Sequence, residues 1–137
     1  WVTDLDGARD FYSHWFDGHS NGLYENPRTG LCTYILHFTD DPREERRTRL
    51  ELMSRPEITA LAERTGLGWA HVSFCLPGRE DVDRLTADMA EAGVRIIDGP
   101  RETGDGYYEA AILDPEGNRI ELLAADYSDD VALRPSH

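Results

Sequence analysis

Two short stretches of the chain carry one pattern. "TRLELMS" runs from Thr48 to Ser54, and "NRIELLA" runs from Asn118 to Ala124. Each reads as a strand with a glutamate set between large aliphatic residues, Glu51 in the first and Glu121 in the second. A carboxylate is costly to bury unless something compensates its charge. A chain that writes this twice, seventy positions apart, must fold as a repeat whose two strands each hold a charge in a defined place.

The segments around the two strands repeat as well. Asp6 to Phe16 reads as a helix capped by Asp6, with Ala8, Phe11, Tyr12, Trp15 and Phe16 at helical spacing. "NPRTG" is a turn, "LCTYILHF" is β-rich, and "TDDPREERR" reads as a polar hairpin loop before the Glu51 strand. Pro56 to Arg64 reads as a short helix. The order then recurs. Trp69 to Leu76 is a strand, and "GREDVDRLTADMAEAG" is a helix with Val82, Leu85, Met89 and Ala92 on one face and Gly93 as its stop. "VRIID" and "YYEAAIL" are strands, "DPEGN" is a tight turn, and the Glu121 strand closes the unit.

The chain therefore reads as α+β, two β-α-β-β-β modules. Residues 1–56 form the first module, 57–67 a linker, 68–125 the second module and 126–137 a polar tail. The first strand of the first module is expected to lie mostly upstream, with only its end at Trp1 to Thr3 present.

Side chains alternate along a strand. Ala70, Val72, Phe74 and Leu76 share one apolar face, which belongs under a helix. His71 lies on the opposite face, with Trp69, Ser73 and Cys75. Glu51 and Glu121 likewise fall on the faces away from Leu50/Leu52 and Ile120/Leu122. If the sheets curve around a common cavity, Glu51, His71 and Glu121 can converge inside it. Taken singly, the bland reading holds: Arg49/Glu51 and Arg119/Glu121 are surface ion pairs worth about 0–1 kcal/mol, and His71 is a structural histidine. Taken together, at repeat-equivalent places on one face, the three favour a metal site.

Composition excludes other classes. The 137 residues carry 27 acids against 14 bases, a net charge of −13, so a polyanionic backbone would be repelled. Every base is Arg, which rules out a Schiff-base lysine. No apolar run reaches the roughly 20 residues of a membrane span, and no signal peptide is visible. Cys32 and Cys75 are far apart and suit a reduced, cytoplasmic protein better than a disulfide scaffold.

The stretches "VTDLDGARDFYSHWF", "GWAHVSF" and "LDPEGNRIELL" resemble the vicinal oxygen chelate superfamily, over about residues 1–125. That group holds glyoxalase I, bleomycin-resistance proteins, extradiol dioxygenases, fosfomycin-resistance enzymes and methylmalonyl-CoA epimerase. The resemblance implies paired βαβββ modules forming a cup-shaped mixed sheet around one divalent metal ion. It places His71 and Glu121 at ligand positions of the second module and Glu51 at the matching position of the first. It puts a fourth ligand about four positions before Trp1. A mixed N/O donor set suits Ni, Co, Zn, Mn or Fe without choosing among them.

The implied activity is a glyoxalase-I-like lyase or isomerase, moving a proton next to a carbonyl through a metal-stabilised enediolate, with Glu51 and Glu121 as the catalytic carboxylates. The substrate is a small molecule, with Trp69, Tyr107, Tyr108 and Arg101 as candidate contacts, and the expected assembly is a homodimer. Two alternatives stand beside it. An Fe(II) extradiol-type dioxygenase needs two His and one Glu, leaving Glu51 surplus. A metal-free antibiotic-binding protein of the bleomycin-resistance type would line its cup with Trp1, Tyr34, Trp69, Tyr107 and Tyr108. An anionic substrate of the fosfomycin kind would need a cationic cluster, for which only Arg9, Arg28 and Arg101 offer themselves. His14, His19, His37 and His137 read as structural or surface residues.

Overall fold

A computed structural model of the chain describes residues 1–39, 48–60, 67–104 and 106–125. The hairpin-loop segment "DDPREERR" and the tail from Asp126 lie outside the described residues. The chain divides into two compact units, Trp1–Thr65 and Gly66–His137. Among the described residues each holds one helix and one four-stranded sheet, the α+β class expected.

Unit 1 opens with helix α1, Leu5–Phe16. Its N-cap is Asp4, not Asp6: the Asp4 carboxylate accepts from Gly7 N–H at 2.9 Å. Asp6, two residues too far in to cap, instead accepts from the Tyr34 hydroxyl at 2.9 Å and from Arg9 at 2.9 Å. Asp17 ends the helix in the left-handed region at φ 54°, and its N–H bonds the Tyr12 carbonyl. Strands β1 (His19–Ser20) and β2 (Tyr24–Asn26) lie along one edge of β3 (Leu31–His37), and β4 (Arg49–Ser54) pairs antiparallel along its other edge. β1 and β2 are one strand interrupted at residues 21–23. There the Asn21 carboxamide oxygen accepts Ile35 N–H at 2.7 Å in place of a ladder carbonyl.

Unit 2 runs β5 (Val72–Leu76), α2 (Arg79–Glu91), β6 (Ile96–Glu102), β7 (Tyr108–Leu113) and β8 (Arg119–Ala124). The sheet order is β5-β8-β7-β6, with β5 parallel to β8 and the other pairs antiparallel. α2 closes as a Schellman motif: Val94 N–H reaches the Met89 carbonyl at 2.8 Å, Gly93 N–H reaches Ala90, and Gly93 takes the φ of +84° that this motif needs. The first module mirrors this order, because Val2 N–H donates to the Met53 carbonyl of β4 at 2.8 Å. The opening residues thus flank β4 as the end of β5 flanks β8.

The core of each unit lies between its helix and one face of its sheet. Ala8 and Tyr12 of α1 are buried, as are Tyr34, Leu36 and Leu52; in unit 2 Val82 and Met89 of α2 are buried with Ala110, Ile112, Ile120, Leu122 and Ala124. Two expectations are corrected here. The β5 strand begins at Val72 and not at Trp69, and its apolar face is only partly covered because β5 is an edge strand. Residues 56–60 form a turn, with Ile58 N–H on the Arg55 carbonyl, instead of the start of a helix; 61–64 lie outside the described residues. Among the described residues no helix is long and apolar enough to cross a membrane.

Leu36 and Leu122 are each fully buried. Leu36→Ala or Leu122→Ala is expected to cost about 2–5 kcal/mol, whereas Glu51→Ala, on an exposed position, stays within about 0.5 kcal/mol. Urea unfolding of the three variants in metal-free buffer checks this.

Candidate functional site

β8 is the second strand of its sheet, bordered by β5 and β7. Ile120 and Leu122 point to α2, so alternation sends Glu121 to the opposite face. The parallel register sets Ser73 directly beside Glu121 on one side, and the antiparallel register sets Ala111 beside it on the other. The Ser73 hydroxyl donates to Glu121 Oε2 at 3.1 Å. His71, two residues earlier and just outside the strand, brings its Nε2 to 3.1 Å from the same oxygen. Arg119 reaches the other oxygen, Oε1, only at 3.9 Å. The Glu121 side chain is 12% exposed and that of His71 37%. An imidazole and a carboxylate are thus together and reachable, and the surface-pair reading of Arg119/Glu121 survives only as a long, partly solvated contact.

Glu51 occupies the repeat-equivalent place in unit 1. It faces away from Leu50 and Leu52, beside Ile35 of β3. It is exposed, and among the described residues it makes no ion pair or hydrogen bond, so the expected Arg49/Glu51 pair does not form. On the same face of that sheet His19 of β1 and His37 of β3 are cross-strand partners, and their rings stack at 5.4 Å. His37 Nδ1 lies 3.0 Å from the Thr39 carbonyl, which fixes the proton on Nδ1.

The substrate-contact candidates separate. Arg101 is on the Glu121 face: a bulge between Asp98 and Arg101 lets both register against β7 on that side, Asp98 opposite Ala111 and Arg101 opposite Glu109. Gly99 makes the bulge possible, since a Cβ there would sit 2.5 Å from the Glu109 carbonyl oxygen. Arg101 spends its guanidinium on the Asp98 carboxylate. Tyr108 is on the other face, its hydroxyl on Asp83 of α2 at 2.6 Å and Arg79 over its ring. Tyr107 fixes the turn into β7 by its carbonyl, which accepts Thr103 N–H at 2.7 Å. Trp69 is 96% exposed. Tyr34 and Arg9 are likewise engaged with each other and with Asp6 between α1 and β3. Ser73 was not singled out from the sequence, although its place two after His71 and in register with Glu121 follows once β5 is paired with β8.

Does this set fit a divalent metal? One imidazole nitrogen beside one carboxylate oxygen is an N/O pair of the kind that borderline divalent metals take. It supplies two donors. Among the described residues no cluster of three or more His, Cys, Asp or Glu is drawn together. The residues of unit 2 therefore fit as part of a ligand set.

A profile of the Glyoxalase/Bleomycin resistance protein/Dioxygenase superfamily matches residues 1–122. The chain belongs to this superfamily. It is similar to a catechol-2,3-dioxygenase of Bacillus subtilis, 32% identical over 94 residues, which are 66% of this chain and 32% of that protein. The chain thus spans about a third of that relative's length. Among solved structures it resembles the trypanothione-dependent glyoxalase I of Leishmania major, 26% identical, with a TM-score of 0.70 over 91% of this chain and 81% of that one. A glyoxalase/bleomycin resistance/dioxygenase domain from Frankia sp. EAN1pec shares the fold at 20% identity and a TM-score of 0.72, each chain 90% covered.

Arg101's hydrogen bonds hold the Asp98 carboxyl below the ordinary carboxylate range, helped by its charge, by Gly99 N–H and by Arg119. A depressed folded-state pKa means stability that is present above the unfolded pKa and lost as pH falls through the folded one. Arg101→Gln is expected to move Asp98 back up toward its ordinary value and to weaken the acid dependence of the melting midpoint. Carboxyl-carbon NMR titration of Asp98 reads the shift directly; an unchanged Asp98 titration would refute the pairing.

Proposed function

We propose that the chain is a divalent-metal-dependent lyase or isomerase of glyoxalase-I type that moves a proton next to a carbonyl on a small-molecule substrate. The observation that carries this is the approach of His71 Nε2 to Glu121 Oε2 on the open face of the unit 2 sheet. The likeness to a glyoxalase I over most of both chains supports it.

His71 and Glu121 would hold the metal, with Glu51 assigned the same duty from its repeat-equivalent place on β4. When bound, Ni, Co, Zn, Mn or Fe supplies a Lewis acid for two substrate oxygens. The chain's own residues divide the remaining work. Ser73 and the neighbouring imidazole orient the Glu121 carboxylate. Glu51 and Glu121 are the two carboxylates assigned to accept and return the proton. Arg101 is neutralised by Asp98, so it offers a hydrogen-bonding edge to substrate more than a free charge. A homodimer in the cytoplasm belongs to the same reading and is supported by the family alone.

A second reading, an Fe(II) extradiol-type dioxygenase, is favoured by the 32% identity to a catechol-2,3-dioxygenase. Elemental analysis of the full-length protein separates the two, compared across wild type, Glu51→Ala and Glu121→Ala. About one metal per site, lost in both variants, supports the lyase reading, with hemithioacetal isomerisation as the assay that follows. Metal kept in full by Glu51→Ala but lost by Glu121→Ala shifts the case to the dioxygenase, with catechol ring cleavage as its assay. A wild type that binds no metal leaves a metal-free small-molecule binder as the function.

A further inference from the structure

We propose that Ser73 is a positioning residue for the Glu121 carboxylate, fixing its plane so that one oxygen stands beside His71 and thereby tightening the pair's hold on a divalent metal. The inference rests on the metal-dependent reading above and concerns a residue that reading did not need.

Register makes the argument. Ser73 and Glu121 are direct partners across the parallel β5–β8 ladder, so their side chains leave the sheet side by side on one face. His71 is two residues back and meets the carboxylate on a diagonal. A glutamate's terminal torsion is broad and roughly two-fold. The two oxygens are equivalent, so what must be fixed is the plane of the carboxylate. Ser73 Oγ donates to one oxygen at 3.1 Å, and His71 Nε2 lies 3.1 Å from that same oxygen. Arg119 reaches the other oxygen only at 3.9 Å and is itself half exposed, and a solvated ion pair of that length contributes little. The hydroxyl thus anchors the plane from the strand partner in register, on the side where His71 stands. Ser73 thus keeps the oxygen and the nitrogen adjacent before any ligand arrives. A carboxylate ordered in advance loses less rotamer freedom on binding. Hydrogen-bond partners of ligating groups typically tune metal affinity by about 10–100-fold.

On the other flank Ala111, buried in register with Glu121, offers only a methyl group and no donor. Ser73 is therefore the sole hydroxyl among the described residues in register with this carboxylate.

The test titrates Co2+ into metal-free full-length protein, followed by calorimetry and by the visible absorption of the bound ion. It compares wild type with Ser73→Ala, Ser73→Thr and Glu121→Ala. Ser73→Ala is expected to weaken Co2+ binding about 10–100-fold and to change the absorption bands, while Ser73→Thr, which keeps the hydroxyl, restores most of both. Ser73 is exposed, so the alanine variant should keep its melting midpoint. A lower midpoint with unchanged Co2+ affinity would mean a structural role only, and would overturn the proposal while leaving the metal reading intact. Wild type that fails to bind Co2+, or Glu121→Ala that binds it as tightly as wild type, would overturn the metal reading and the role of Ser73 together.

Discussion

The need to compensate one half-buried carboxylate organises the second unit. Ile120 and Leu122 are fully buried against α2, and a strand cannot bury both without turning the residue between them the other way. Glu121 is therefore forced onto the open face of a strand flanked on both sides. A carboxylate there loses much of its water and must find donors. Ser73, His71 and, at longer range, Arg119 are the groups that answer. Removing any of them leaves the charge less well satisfied. Moving the register of β5 by one residue would replace all of the β5 side at once, since every side chain would change face.

The elements around β8 hold that register. The "DPEGN" turn before it is locked by Asp114, buried, whose carboxylate accepts Asn118 N–H at 2.7 Å and the Asn118 carboxamide at 2.9 Å. Gly117 N–H returns to the Asp114 carbonyl at 2.8 Å. At the far side of the sheet the bulge at Gly99 turns Asp98 and Arg101 onto the Glu121 face, so that a cation and an anion that three-residue spacing along a regular strand would send to opposite faces can pair. The open face of unit 2 thus presents an imidazole beside a carboxylate at one end and an ion-paired guanidinium across the strands.

Much of this was legible in the sequence because period alone carries it. Helices α1 and α2, the Gly93 stop and the outward turn of Glu51, His71 and Glu121 follow from spacing. The misreadings have physical reasons. The cap was read at Asp6 and is carried by Asp4, because only the backbone decides which residue leaves the helix. Trp69 and Ala70 continue an alternating pattern, but β5 is an edge strand with no partner to extend it there. Tyr108 was grouped with the substrate contacts and Tyr34 with the aromatics of a metal-free cup, whereas strand parity puts both on the helix side, tied to Asp83 and to Asp6. Alternation put Ser73 on the face of His71, but nothing in the sequence tied it to Glu121. Its importance comes from a parallel partner forty-eight positions away, and pairing between strands is not written in the period of either one.

The same parity argument explains why the two repeat-equivalent glutamates differ. β8 lies between two full strands, so Glu121 has neighbours on both sides and is pinned by them. β4 has β3 along one edge and, along the other, the short segment whose Val2 N–H bonds Met53. On the β3 side Ile35, in register with Glu51, has no donor to offer. Glu51 is exposed, with no hydrogen bond or ion pair among the described residues. Glu121 has Ser73 in register on its β5 side and accepts its hydroxyl. A carboxylate held in this way is ordered before anything binds. One sequence motif written twice thus meets different neighbours, and the difference arises from the strand that each motif finds at its side.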